Sequence, residues 1–154
     1  GPWGRPDMAL FKFTDLIINN KPITVYNHGK MIRDFTYIDD VIETIFKLIK
    51  KPATIDIKFD KKSPNLSTSW CPNRIYNIGN SKPVKLMDYI SEIESCLKIT
   101  AIKEFHPMQP GDVQSTSSDS TLLEKFIDFK PNTSIKIGIK NFIDWYLDFY
   151  KVKL

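Results

Sequence analysis

Glycine is scarce in this sequence, with six residues in 154, and none of them forms a Gly-x-Gly-x-x-Gly cluster. Dinucleotide-binding turns need such glycines because the backbone must approach the phosphates closely. The Gly-x-Ser-x-Gly turn that carries the nucleophile of many hydrolases is also missing. We therefore expect neither a dinucleotide-binding turn nor a serine nucleophile in this chain.

Cysteine is rarer still, and Cys71 and Cys96 lie far apart, with no Cys-x-x-Cys or cysteine–histidine cluster. Clusters of that kind supply the ligands of structural zinc, so we expect two reduced thiols and no metal site. No apolar run is long enough to span a bilayer, and no signal peptide is recognisable. We expect a cytoplasmic protein with no membrane partner.

Positive charge exceeds negative charge only slightly, with 22 Lys+Arg against 18 Asp+Glu and a net charge of +4. The lysines are spread along the whole chain. Nucleic-acid binding would require them to cluster on one face. The distribution favours a solvated surface, and we expect no nucleic-acid partner.

Hydrophobic periodicity predicts a mixed α/β domain in which helices alternate with short strands. Helices are predicted over residues 8–20, 41–51, 83–97, from 119 to 126, and from a cap at Thr133 or Ser134 to about Tyr150. Extended segments are predicted at residues 23–26 and 33–38, with a buried strand at 74–79 and a short strand at 102–105. Residues 51–73 carry prolines and no period, which is typical of a long surface loop.

Two details concern the second helix. Asp39 and Asp40 precede it, where N-cap carboxylates stabilise a first turn. Its apolar residues fall on one side of the helix: Val41, Ile42, Ile45, Phe46 and Ile49.

Tyr26 and Lys30 match a Tyr-x-x-x-Lys spacing, but they straddle a turn that contains Gly29. That spacing brings the two side chains together only on a helix. We therefore do not expect a catalytic pair there. His28 and His106 are isolated, and we expect local hydrogen bonds for both.

Three arginines stand out in a chain that otherwise uses lysine: Arg5, Arg33 and Arg74. The planar guanidinium group suits phosphate or carboxylate. Taken alone, these residues indicate a soluble α/β domain that binds an anion, with ordinary surface arginines as the alternative.

Five segments in a fixed order carry a family resemblance: GPWGRPDMALFKF, RDFTYIDDV, RIYNIGNSKPVKLMDYI, MQPGDV and FKPNTSIKIGIKNFIDWY. Together they resemble the extended short-chain dehydrogenase/reductase enzymes that epimerise nucleotide sugars. The resemblance is closest to UDP-glucuronate 4-epimerases, including those of capsular polysaccharide pathways. It covers nearly the whole chain, and GPWGRPDMA is its narrowest motif.

The resemblance implies a fold and partners. Residues 1–154 would be the C-terminal, substrate-binding part of a Rossmann-type epimerase that lacks most of the NAD-binding domain. The N-terminal half, with its glycine turn and Tyr-x-x-x-Lys helix, is not in this sequence. NAD would belong to the intact enzyme, and we expect this part alone to hold no cofactor and to be inactive. The implied partners are a UDP-sugar, the N-terminal half and further copies of this chain.

Four side chains acquire roles by the same likeness. Arg5 would meet the carboxylate of glucuronate, and a two-pronged guanidinium–carboxylate pair suits that contact. Arg33 would bind the diphosphate. Tyr26 would contact uracil, and Asp112 would hold the ribose hydroxyls.

The remaining assignments are weaker contacts. Gln109 stands where many relatives use arginine on the phosphate, and it donates only neutral hydrogen bonds. Asp7 and Met8 would approach the nucleotide through their main chain. Pro2 would lie on the cofactor side. Arg74 we interpret as structural.

Three alternatives stay open. Another NAD-dependent nucleotide-sugar epimerase, dehydratase or decarboxylase would share most of these motifs, although a neutral sugar leaves Arg5 without a partner. A non-catalytic product of a split gene would bind the nucleotide sugar weakly or not at all. Nucleic-acid binding through the basic surface is the third.

Overall fold

Helices and short strands alternate through residues 4–154, the part of the chain that the computed structural model describes. The order is α1 (Ala9–Ile18), β1 (Ile23–Val25), a 3-10 turn (Tyr26–Gly29), β2 (Ile32–Arg33), α2 (Ile38–Ile49), β3 (Val84–Lys85), α3 (Leu86–Leu97), β4 (Lys103–Phe105), α4 (Thr121–Ile127) and α5 (Ile135–Phe149). β1 pairs in parallel with β4, and β2 pairs antiparallel with β3. The predicted mixed α/β class is confirmed.

The core lies between α1, α3, α5 and the β1–β4 pair. Ile90, Ile93 and Leu97 recur at helical spacing along α3 and are buried. Phe11 of α1 meets Phe142 of α5 edge to face, with ring centroids 4.7 Å apart. The three predicted helices that supply this core are confirmed because their apolar faces meet one another.

The predicted buried strand at residues 74–79 is wrong. Within the described chain this segment forms only an isolated bridge between Thr68 and Arg74. Ile75 is 60% exposed. A strand needs a neighbour along its length, and in residues 4–154 the pairing is limited to this bridge and the bond from the Ile75 N–H to the Ser67 carbonyl at 3.1 Å. The extended segment expected at 33–38 is also shorter, because β2 ends at Arg33 and α2 begins at Ile38.

α2 begins earlier than expected, so the two aspartates lie inside its first turn and Tyr37 occupies the N-cap. The carboxylate of Asp40 instead accepts hydrogen bonds from the backbone N–H of Asn132 at 3.1 Å and of Thr133 at 2.9 Å. The Thr133 hydroxyl donates a third, also at 2.9 Å. Asp40 therefore ties the start of α2 to the chain that enters α5.

The apolar side of α2 faces outward. The large side chains exposed on it are Ile38, Ile42, Ile45, Phe46 and Ile49, which we call the α2 stripe. Their spacing is that of one helix face. Exposed apolar side chains gathered along one face are typical of an interaction surface.

A second carboxylate, that of Asp34, holds irregular chain beside β2. Its oxygens accept from the backbone N–H of Ser81 at 3.0 Å, of Ser118 at 3.1 Å and of Lys82 at 3.4 Å. The N–H of Asp34 in turn donates to the hydroxyl of Thr116 at 3.2 Å. We call this set the Asp34 clamp. It joins the end of β2 to the segments around residues 81 and 116–118.

Asp40 should contribute more to stability than its neighbour Asp39. Replacing Asp40 with Ala removes the acceptor of three hydrogen bonds, so we expect the free energy of unfolding to fall by about 2 kcal/mol. Asp39→Ala is the matched control because both carboxylates sit in the same first turn and share its helix dipole. Its loss should stay below about 0.5 kcal/mol. Urea denaturation measures both, and equal losses would contradict the role given to Asp40.

Gly79 is needed for the close approach of the Asp34 clamp. A Cβ atom there would lie 2.6 Å from the Ser118 Oγ and still closer to the Ser118 Cβ. We expect Gly79→Ala to cost about 1–3 kcal/mol of stability, the usual range for overpacking. In a Ser118→Gly background, which keeps the N–H bound to Asp34, the same change should cost less than half as much. An equal cost in both backgrounds in thermal or urea denaturation would show that this contact is not the reason.

Candidate functional site

Arg33, at the end of β2, is held in a fixed position. Its Nη1 donates to the carbonyl oxygens of Ile32 at 2.9 Å and of Gln114 at 3.2 Å. Its Nη2 pairs with the Asp112 carboxylate at 2.9 Å. The side chains are 25% and 35% exposed, respectively. Two candidate residues that are 79 positions apart in the sequence are thus brought into direct contact.

The loop that carries Gln109 and Asp112 turns tightly at Gly111. Gly111 has φ +82°, a left-handed conformation that favours glycine. The N–H of Asp112 donates to the Gln109 carbonyl at 3.2 Å, and the Asp112 carboxylate also accepts from the N–H of Val113 at 2.7 Å. The turn fixes Asp112 toward Arg33 and leaves the Gln109 side chain exposed.

Tyr26 lies just beyond β1, as the first residue of the 3-10 turn and not as the last residue of a strand. Because Val25 is in register with Phe105, the Tyr26 ring lies beside that of His106, with centroids 6.0 Å apart. Backbone hydrogen bonds from His106 to Val25 and from His28 to His106, both 3.0 Å, fix this arrangement. Tyr26 therefore borders the chain that leads from β4 into the Gln109–Asp112 loop.

Arg5, Asp7 and Met8 form a separate group before α1. The Arg5 Nε donates to the Asp7 Oδ1 at 3.1 Å, and its Nη2 pairs with the Oδ2. The side chains are 74% and 61% exposed. This hydrogen-bonded contact raises the pKa of Arg5 and lowers that of Asp7. The N–H of Met8 closes a turn onto the Arg5 carbonyl at 3.2 Å, and Pro2 lies outside the described residues.

The sequence motifs did not identify the groups that position Arg33. Nothing marked Asp34 as a backbone-binding carboxylate, although it directly follows Arg33 in the RDFTYIDD motif. The carbonyls of Ile32 and Gln114 carry no sequence signal, because every residue has one. Arg74 pairs instead with Asp56 of the long loop, 3.8 Å away.

Two hollows lie apart from the candidate residues. One of about 130 Å³ is lined by the start of α2 together with α3 and α5. The other, of about 360 Å³, lies between the long loop and α4, beside Arg74. None of the seven described candidate residues lines either hollow. The described candidate residues include two arginine–carboxylate pairs, Arg33 with Asp112 and Arg5 with Asp7.

Two other kinds of site are absent from residues 4–154. The described side chains include no group of three or more His, Cys, Asp or Glu placed to hold a metal ion. No described helix has the length and apolar character needed to cross a membrane.

Residues 1–79 match the NAD dependent epimerase/dehydratase family. The chain is 50% identical over 151 residues to Protein CapI of Staphylococcus aureus, covering 98% of this chain and 45% of CapI. It is 42% identical over 152 residues to the probable UDP-glucuronate 4-epimerase of Rhizobium meliloti strain 1021, covering 98% of this chain and 45% of the relative.

The fold is similar to the crystal structure of UDP-glucuronic acid 4-epimerase from Bacillus cereus in complex with UDP-glucuronic acid and NAD. The TM-score is 0.76 at 27% identity, and the match covers 97% of this chain and 43% of that one. The chain thus spans less than half the length of these relatives. With the family match over residues 1–79, these similarities show that the chain belongs to the NAD dependent epimerase/dehydratase family and corresponds to part of a Rossmann-type epimerase fold.

Proposed function

We propose that residues 1–154 form the UDP-sugar-binding domain of an NAD-dependent 4-epimerase, and that the sugar is glucuronate. The intact enzyme would be a cytoplasmic isomerase. One observation carries the proposal: Arg33 is fixed by two carbonyls and by Asp112, a residue with an assigned role of its own. A cation held in this way is prepared for an anion. The similarity to UDP-glucuronate 4-epimerases supports the choice of ligand.

Arg33 retains hydrogen-bonding capacity for a diphosphate. A guanidinium has five N–H donors, and the described contacts of Arg33 use three of them. The remaining two suit a two-pronged contact with phosphate oxygens. Asp112 would accept from the ribose hydroxyls, Tyr26 would contact uracil, and the exposed Gln109 would add a neutral hydrogen bond to the phosphates.

Arg5 would recognise the sugar by binding its carboxylate group. Its exposed guanidinium group suits the carboxylate that distinguishes glucuronate from glucose. Asp7 and Met8, in the turn after Arg5, would approach the nucleotide through their main chain. The nucleotide and the sugar would then be held by separate groups of residues, so the sugar ring can turn while the UDP stays bound.

We infer that the described residues hold no NAD. Gly29 lies in the turn after β1, but the space beside it is filled, because a Cβ there would come within 2.7 Å of the Met87 sulfur. The chain then continues into β2 and not into a helix. A dinucleotide turn needs a glycine-rich strand-to-helix connection with its helix N-terminus free for phosphate. Hydride transfer and its tyrosine base would belong to the N-terminal half, so this chain would be inactive alone, with Pro2 on the cofactor side.

The N-terminal half would also cover the α2 stripe. α2 is linked through α4 to segment 74–79, which forms no regular strand in the described chain. Lys51, just after α2, donates to the Phe126 carbonyl of α4 at 2.8 Å, and Phe126 stacks on Tyr76 with centroids 5.3 Å apart. An uncovered apolar surface beside an unpaired backbone edge favours association. Without the N-terminal half, we propose that copies of the chain associate through this side.

The ligand roles are tested in an assembled enzyme, in which this chain is joined to the remaining part of CapI. Arg33→Ala should weaken UDP, UDP-glucose and UDP-glucuronate alike, by about tenfold or more, because all three contain the diphosphate. Arg5→Ala should weaken UDP-glucuronate by a comparable factor and leave the other two ligands nearly unchanged. Isothermal titration calorimetry with the three ligands measures both effects.

Arg5→Lys is the conservative control for the same experiment. An ammonium group keeps the charge but cannot form the two-pronged pair, so little affinity for UDP-glucuronate should return. Equal losses for all three ligands in Arg5→Ala would give Arg5 a nucleotide or structural role. The sugar would then be better explained as neutral, as in a different epimerase or a dehydratase.

Self-association is tested on this chain alone with two matched substitutions. Ile42 in the α2 stripe is 54% exposed, and Ile137 on α5 is 53% exposed. Ile42→Lys should shift the chain toward monomer in sedimentation velocity, because it places a charge in the contact. Ile137→Lys should leave the distribution unchanged. A wild-type chain that stays monomeric at high concentration would contradict association through this side.

A further inference from the structure

The Arg5 side chain already holds a carboxylate in this structure. Asp7 engages the edge of the guanidinium through both oxygens, one on Nε at 3.1 Å and one on Nη2. This is the two-pronged geometry by which arginine recognises a carboxylate in general. A uronate carboxylate is the same chemical group, so Asp7 and the sugar would occupy the same N–H donors.

We propose that Asp7 is a specificity-determining residue that competes with the sugar carboxylate for Arg5. When the sugar is a uronate, the ligand displaces Asp7 from the guanidinium. When the sugar is neutral, Asp7 stays in place and the cation remains paired. Asp7 therefore lowers the preference for uronates over neutral sugars. The inference rests on the proposed role of Arg5 and adds a second residue to it.

The two arginine–carboxylate pairs of the candidate site differ in a way that supports exchange at Asp7. Arg33 and Asp112 are partly buried, and two carbonyls hold the Arg33 guanidinium in place. Arg5 and Asp7 are largely exposed, with side-chain fractions of 74% and 61%. Exposed pairs are weak because water and salt screen them. The Arg5–Asp7 pair can thus open at little cost.

The negative charge of Asp7 also indicates that it competes with the sugar carboxylate for Arg5 and does not help to bind it. A carboxylate beside Arg5 neutralises the cation that a second anion would approach. The contact stabilises the ionised Asp7, which is why the pKa of this carboxyl group is lowered. Asp7 therefore carries its negative charge at neutral pH, in the place where the sugar carboxylate would bind.

The test compares UDP-glucuronate with UDP-glucose in the assembled enzyme. Asp7→Asn keeps the side-chain size and the main chain but removes the charge. We expect the ratio of the two affinities to shift toward UDP-glucuronate by about two- to fivefold, the range set by exposed ion pairs. Asp39→Asn, another exposed aspartate, is the matched control and should leave the ratio unchanged.

The Arg5→Gln background separates this inference from the proposed function. If Arg5 reads the carboxylate, Arg5→Gln alone lowers the ratio, and adding Asp7→Asn then changes nothing further. A ratio that Arg5→Gln leaves unchanged would overturn the role of Arg5 itself. A ratio that falls or stays constant in Asp7→Asn alone, while Arg5→Gln lowers it, would overturn the competition and leave the proposed function standing.

A ligand-free measurement on this chain tests the pair directly. Carbon-detected NMR titration of the Asp7 carboxyl group should give a pKa below the usual aspartate range, and Arg5→Gln should raise it. The sign follows because Arg5 stabilises the charged form of Asp7. An Asp7 pKa that Arg5→Gln does not change would show that the pair is absent in solution and would overturn the proposal.

Discussion

The Asp34 carboxylate satisfies backbone N–H groups in irregular chain that no sheet ladder reaches. Strands of two or three residues leave most of this chain without regular partners, and unpaired backbone groups are costly when water cannot reach them. The chain around Thr116 lies beside β2 because Ile32 donates to the Gln114 carbonyl at 2.9 Å and accepts from the Thr116 N–H at 3.2 Å. Asp34 adds contacts from the side, since it receives donors from two distant segments. Gln114, whose carbonyl receives the Arg33 guanidinium, lies in that same stretch. The position of Arg33 thus depends on the backbone pairing of Ile32 and on the partly buried carboxylate of Asp34, one residue away.

How far the sequence predicts the structure depends on where each element finds its partner. The helices at α1, α3 and α5 were predictable because their apolar faces meet within the chain. The segment 74–79 resembles a buried strand in sequence, yet it forms only one isolated bridge in the described chain and Ile75 is exposed. The α2 stripe shows the same conflict between an apolar pattern and an exposed position. Both are the patterns expected when the covering surface belongs to a partner.

The sequence named the candidate residues but did not predict the contacts between them. The family motifs named Arg33 and Asp112, but only the fold brings them to 2.9 Å. The sequence reasoning also placed Asp39 and Asp40 together as helix caps, whereas Asp40 binds the chain before α5. Side-chain contacts to backbone groups across 80 or more positions leave no periodicity, so a sequence pattern cannot separate such an aspartate from its exposed neighbour.

In the proposed site the two arginines would have different tasks. Arg33 would bind the nucleotide, and Arg5 would distinguish one sugar from another. Arg33 is held by two backbone carbonyls, so in the proposed function its free donors would face the diphosphate in one geometry. Among the described residues Arg5 pairs with Asp7, which is two residues away and exposed, so under the proposal its partner would change with the ligand. A rigid arginine gives affinity shared by every UDP-sugar. An arginine with an exchangeable partner responds to the one group that differs among those sugars, and the strength of its internal pair sets how strongly it discriminates.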